Sequence, residues 1–133
     1  MCKPKKRKKD IIKAYNKAQD IPLSEKEIHL TNHFCQRWRE RIFNQDTDTE
    51  DIYNHINTNI SNCSKLKSVS GDFYLLNEYL VIAAEENQSV TLITVLGSTD
   101  NCGNVYDYIK HHGAFSFHQA LKKYGKIPLV NYQ

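Results

Sequence analysis

Three side chains able to move a proton and hold a phosphate stand four residues apart: His33, Arg37 and Arg41, within the stretch NHFCQRWRERIF from Asn32 to Phe43. A histidine can give or take a proton near neutral pH, and arginines present forked donors that match phosphate oxygens. Metal-independent RNA cleavage asks for such a set: a base for the 2′-hydroxyl proton, an acid for the leaving oxygen, and cations for the charge on phosphorus. The same spacing has a plainer reading, in which Arg37 pairs with Glu40, Arg41 lays its stem over the rim of the core, and His33 simply occupies the first helical turn. Both stand at this point. No second acid or base is obvious on a strand; His29, one turn earlier, would serve if Ile28 to Leu30 extends into the site. Tyr74 and Tyr79 are further candidates, although aromatic residues in a meander are usually packing.

The element that must position the row is an amphipathic helix. Thr31 can cap it, and at about 100° per residue Phe34, Cys35, Trp38 and Ile42 gather on a core-facing side, with the His/Arg stripe at its border. Asp10 can cap an earlier helix whose apolar face is Ile11, Ala14, Tyr15 and Ala18, ending near Asp20. A third helix comes after DTDTED, with Ile52, Ile56 and Ile60 at helical spacing. Residues 64–72 read as an irregular strand or a loop. FYLL, YLVIAA and VTLITVLG, separated by Asn77-Glu78 and EENQS, then read as an antiparallel meander. Beyond the GSTDNCGN loop, VYDYIKHH forms a short helix stopped by Gly113. A last helix begins with a Ser116/Gln119 capping box and a Phe115/Ala120 staple, would bury Phe117, Ala120, Leu121 and Tyr124, and ends at Gly125 and Pro128.

The chain of 133 residues is 40% hydrophobic, enough for one globular domain over residues 10–133. It contains no apolar run long enough to span a bilayer, and its basic N-terminus has no apolar stretch behind it, so neither a membrane span nor a signal peptide is expected. Six of the 18 Lys and Arg, namely Lys3, Lys5, Lys6, Arg7, Lys8 and Lys9, fall in KPKKRKK, leaving 12 against the 15 Asp and Glu elsewhere. Residues 1–9 therefore read as a disordered basic tail on an acidic body. The tail is the place for contact with nucleic acid or another polyanion, and in a eukaryotic cell it would also look like a nuclear-localisation cluster. Cys2, Cys35, Cys63 and Cys102 have no metal-ligand or disulfide-framework spacing and read as reduced thiols of an intracellular, cytoplasmic protein. In HHGAFSFH, the adjacent His111 and His112 point about 100° apart on a helix and do not suit one ion; neither a metal nor a cofactor is implied.

The order helix, helix, β-meander, with His33, Arg37 and Arg41 matching a motif of the type H-A-x-x-R-M-x-x-R-G-I and Trp38 in place of its Met, resembles the BrnT-like small proteins of the RelE-like toxin group. ITVLG, with Thr94, looks like that group's last strand. The resemblance covers residues 28–97. Phe34 replaces a small residue, Trp38 replaces Met, no glycine follows Arg41, and residues 98–133 form a helical extension without a counterpart. The resemblance implies an α+β fold of N-terminal helices packed on a meander of three to four strands, and a toxin-type ribonuclease with His33, Arg37 and Arg41 at its site and an antitoxin partner. Two other readings accompany it. One is a non-catalytic phage or mobile-element effector that grips a host protein through the same fold and its C-terminal extension. The other is a nucleic-acid binder led by the basic tail.

Overall fold

The computed structural model describes residues 8–17, 19–24, 26–42, 48–61 and 65–124, with only the backbone for residues 59–61 and 124. In chain order the elements are α1 (Lys8–Asn16), β1 (Ile21–Pro22), β2 (Glu27–Leu30), α2 (Asn32–Arg41), α3 (Thr49–Ser61), β3 (Lys65–Ser70), β4 (Phe73–Leu76), β5 (Tyr79–Glu85), β6 (Ser89–Ser98) and α4 (Gly103–Tyr124). The strands make one mixed sheet in the order β1-β3-β4-β5-β6-β2. The meander β3 to β6 is antiparallel throughout. It is extended by β1, antiparallel on β3, and by β2, parallel on β6.

The turns reflect residue type. Gly71 (φ 57°) and Asn77 (φ 52°) occupy two-residue connections, and these are residues that tolerate a left-handed backbone. Lys65 to Ser70, polar and ambiguous as sequence, becomes a strand by pairing with β1 and β4; Leu66 is buried in the core beneath α2 and α3, and Ser70, beyond a bulge, is buried on the α4 side. Two-residue β1 and four-residue β2 are strands only because longer neighbours template them, so their sequences carry no alternating signal.

Helices cover both faces of the sheet. On one side Phe34 and Trp38 of α2 and Ile52 and Ile56 of α3 pack on Leu76, Val81, Leu92 and Val95. On the other, Val105, Ile109, Ala114 and Phe117 of α4 pack on Phe73 and Leu80. Consecutive residues Tyr79, Leu80 and Val81 are all buried, which is why β5 reads as an unbroken apolar run rather than an alternating one.

Two N-terminal expectations change. Helix α1 begins at Lys8, so Lys8 and Lys9 are helical rather than part of a disordered tail. Its apolar face also points outward: α1 has no buried residue, and Ile11 is 56% and Tyr15 41% exposed. Polar bonds fasten it instead. The Asn16 carbonyl accepts from the Gly71 amide at 3.2 Å and from the Ser70 hydroxyl at 3.2 Å, and Asn16 Oδ1 accepts from the Phe115 amide at 3.0 Å. Gly113 (φ 88°, ψ 159°) does break α4, but the helix resumes at Ala114, ahead of the Ser116/Gln119 box. Its leading amides are capped from other elements, Ala114 by Ser70 Oγ at 3.0 Å and Phe115 by Asn16, so orphan donors find tertiary partners. Ala18, Gly125, Pro128, and the side chains of Ile60 and Tyr124 lie outside the described residues.

Candidate functional site

The row His33, Arg37, Arg41 is carried by a helix locked onto the rim of β6. Strand β2 pairs with β6 only as far as Leu92. Beyond that, the register of β6 against β5 slips twice, leaving Ile93 and Leu96 as bulge residues. A bulge re-aims backbone groups out of the ladder, and α2 supplies donors for them. The Thr31 hydroxyl donates to the Ile93 carbonyl at 2.7 Å while its oxygen accepts from the Phe34 amide at 2.9 Å. Thr31 therefore caps α2 and fastens it to the strand at once. At the other end, Arg41 donates to the Val95 carbonyl at 2.7 Å. Between them Trp38, fully buried, lies against Phe34, Tyr79 and His55 with ring centroids 5.8, 4.9 and 5.5 Å away.

The three residues have different surroundings. His33 is exposed in the first turn. Arg37 is half-buried and bonds Glu40 at 2.7 Å, holding that carboxyl below its ordinary range. Arg41 is half-buried, and burial followed by the neighbouring Arg37 charge lowers its pKa. Arg37 and Arg41 therefore make the contacts that an ordinary amphipathic helix would make, and His33 is the member of the row turned to solvent.

The expected helpers are dispersed. His29 sits on β2, exposed, with Nε2 3.7 Å from Glu27 Oε2, beside a shallow polar depression bordered by Glu86, Asn87, Gln88 and Ser89. Tyr79 is buried against Trp38 and Tyr74 packs on the same core; burial raises the pKa of both. Thr94 pairs with Ile82, whose side chain packs on the α4 side, so Thr94 lies on the sheet face opposite the one α2 covers. Cys35 and Cys102 are buried free thiols, and burial pushes Cys102 up to about 11. Among the described residues no three metal-ligating side chains converge. Of the basic run, Lys8 and Lys9 are exposed on α1; Lys3, Lys5, Lys6 and Arg7, like Cys2 and Cys63, lie outside the described residues.

A second constellation joins residues far apart in sequence. The Tyr15 hydroxyl and His118 Nε2 both meet Asp72 Oδ1 at 3.1 Å, and His118 stacks on Phe73 with centroids 5.2 Å apart. Burial pushes the Asp72 carboxyl up, but His118, a backbone amide and Tyr15 outweigh it and leave the group below its ordinary range. Burial, then the Asp72 charge, pushes Tyr15 up to about 12. The residues come from α1, the β3–β4 turn and α4, and no local spacing announces them.

Comparisons with protein-family models, with curated proteins and with solved structures return no match. No helix among the described residues is long and apolar enough to cross a membrane.

Proposed function

We propose that the protein acts on RNA as a RelE/BrnT-like, toxin-type ribonuclease, with His33 as the proton-transfer group, Arg37 as the phosphate contact, and Arg41 as the residue that positions the helix. The observation that carries this reading is the placement of His33. Its imidazole is exposed in the first turn of a helix whose cap is itself pinned to a bulged strand. Such a mount holds a proton-transfer group at a fixed height above the surface, which positioned acid–base catalysis requires.

His33 would take the 2′-hydroxyl proton; the 2′-oxygen then attacks phosphorus and the P–O5′ bond breaks. The leaving oxygen collects a proton from solvent or from the histidinium so formed, and a 2′,3′-cyclic phosphate results. Arg37, exchanging Glu40 for a phosphate oxygen, would stabilise the charge in flight. Arg41, already committed to the Val95 carbonyl, keeps the far end of α2 on β6 and adds positive potential.

Purified protein should cleave single-stranded RNA in the presence of EDTA, and His33→Ala should reduce the rate by about 100-fold or more, the usual scale of general acid–base catalysis, with an unchanged melting temperature. A His33→Ala protein as active as the wild type would remove this mechanism. The effector reading would gain instead if host protein is captured by the full chain and lost on truncation of residues 98–133.

A further inference from the structure

We propose that the surface where α1 meets the second half of α4 binds single-stranded RNA, with Tyr15 as the stacking platform and Lys8 and Lys122 as phosphate contacts. The proposal rests on the RNA reading above but uses a separate set of residues. In α1, Lys8, Ile11 and Tyr15 recur at helical spacing on one stripe, and all three are exposed. In α4, Phe115, His118 and Lys122 do the same, with Lys122 exposed.

The two stripes meet at Asp72, which receives both Tyr15 and His118, and the Tyr15 and Phe115 rings lie nearly perpendicular, with centroids 6.4 Å apart and planes at 76°. Tyr15 is thus a 41% exposed ring whose hydroxyl is already held by Asp72, so a base laid on it costs little further ordering. Exposed aromatic rings set among cations are what single-strand binders offer, because every base has a π-face and every nucleotide a charge.

The sign of charge selects the occupant. Lys8 on the α1 stripe and Lys122 on the α4 stripe are exposed, and residues 114–124 contain no acid. On α1 the one acid, Asp10, lies about 100° or more round the helix from the Lys8/Ile11/Tyr15 stripe, and the Asp72 carboxylate at the junction is already engaged by Tyr15 and His118. A bilayer surface fits less well. Interfacial helices insert a broad apolar face, whereas this stripe offers Ile11 and a tyrosine whose hydroxyl is bonded to a carboxylate. Duplex RNA keeps its base faces stacked inside and would leave the platform unused.

The test is fluorescence anisotropy on the full chain with a labelled 2′-O-methyl oligouridine, which lacks the attacking hydroxyl and stays intact. The same strand in a duplex and vesicles containing phosphatidylserine serve as competitors, and circular dichroism checks each variant. Tyr15→Leu should weaken binding about tenfold, the loss of one stacked base, while Tyr15→Phe stays within about twofold. Lys8→Glu combined with Lys122→Glu should weaken it about tenfold or more, with a shallower salt dependence. His33→Ala should bind like the wild type even where it no longer cleaves, which separates failure of this surface from failure of the catalytic reading. Unchanged binding in folded Tyr15→Leu and Lys8→Glu/Lys122→Glu proteins would overturn the proposal. So would no binding by the wild type, competition by vesicles rather than by the single strand, or loss of binding confined to His33→Ala.

Discussion

Tyr15 shows how much a side chain's role depends on neighbours its sequence does not name. Its spacing with Ile11 and Ala14 suggests core packing, yet it is 41% exposed and its hydroxyl reaches Asp72, 57 positions away. Held at about 12 against an ordinary 10.0, Tyr15 keeps its proton in the folded protein where the unfolded chain gives it up. That contribution to stability is complete below pH 10 and is lost as the pH rises towards 12. An ultraviolet titration should show a tyrosine ionising near pH 12 that disappears in Tyr15→Phe. Asp72 behaves in the opposite sense. Its folded pKa lies below the ordinary 3.8, so its contribution is present above that value and is lost as the pH falls through the folded pKa. Asp72→Asn should flatten the acid limb of a stability–pH curve relative to the wild type. At the same scale, Arg37 and Arg41 can be placed on a helix border from sequence, and the Arg37–Glu40 contact is implied by i to i+3 spacing. The Arg41 bond to Val95 cannot be foreseen, because it depends on a β-bulge 54 residues away.

Helix α2 is the element most fully legible in the sequence. Its cap at Thr31 and its core residues Phe34, Cys35 and Trp38 are all given by helical periodicity and capping chemistry, and the structure has each of them. The second bond of Thr31, to Ile93, has no local signal, and it makes this cap more than a helix end. Thr31→Ala should cost at least the ~1 kcal/mol of an ordinary N-cap, since it also strips the Ile93 carbonyl of its donor; Thr31→Ser, keeping the hydroxyl, should recover most of it in urea unfolding. Gly113 is readable as a stop. The helix beyond Gly113 starts earlier than its Ser116/Gln119 box indicates, because Ser70 and Asn16 cap the amides of Ala114 and Phe115, and local pattern cannot register caps that arrive through tertiary structure. Helix α1 is readable as a helix but not in its orientation, since its attachment is polar.

At the scale of the whole molecule, a six-stranded sheet carries helices on both faces, and α2 ties the bulged rim of β6 to the core beneath it through Thr31 and Arg41. Trp38 carries much of that connection, fully buried among Phe34, His55 and Tyr79. Trp38→Ala should cost about 3–5 kcal/mol in urea unfolding, a large part of the total stability of a domain this size, and any activity of His33 should fall with it. The meander and the division into α and β elements are legible because apolar runs of strand length alternate with turn residues. The edge strands β1 and β2 are not, being defined by pairing rather than by composition. The central claim is that His33 works on RNA, and the chemistry of the product ends tests it most directly. RNA incubated with the protein in EDTA, then analysed by mass spectrometry, should carry 2′,3′-cyclic phosphate and 5′-hydroxyl termini in the wild-type reaction and remain intact with His33→Ala. Intact RNA in both reactions, or 5′-phosphate termini, would contradict that claim.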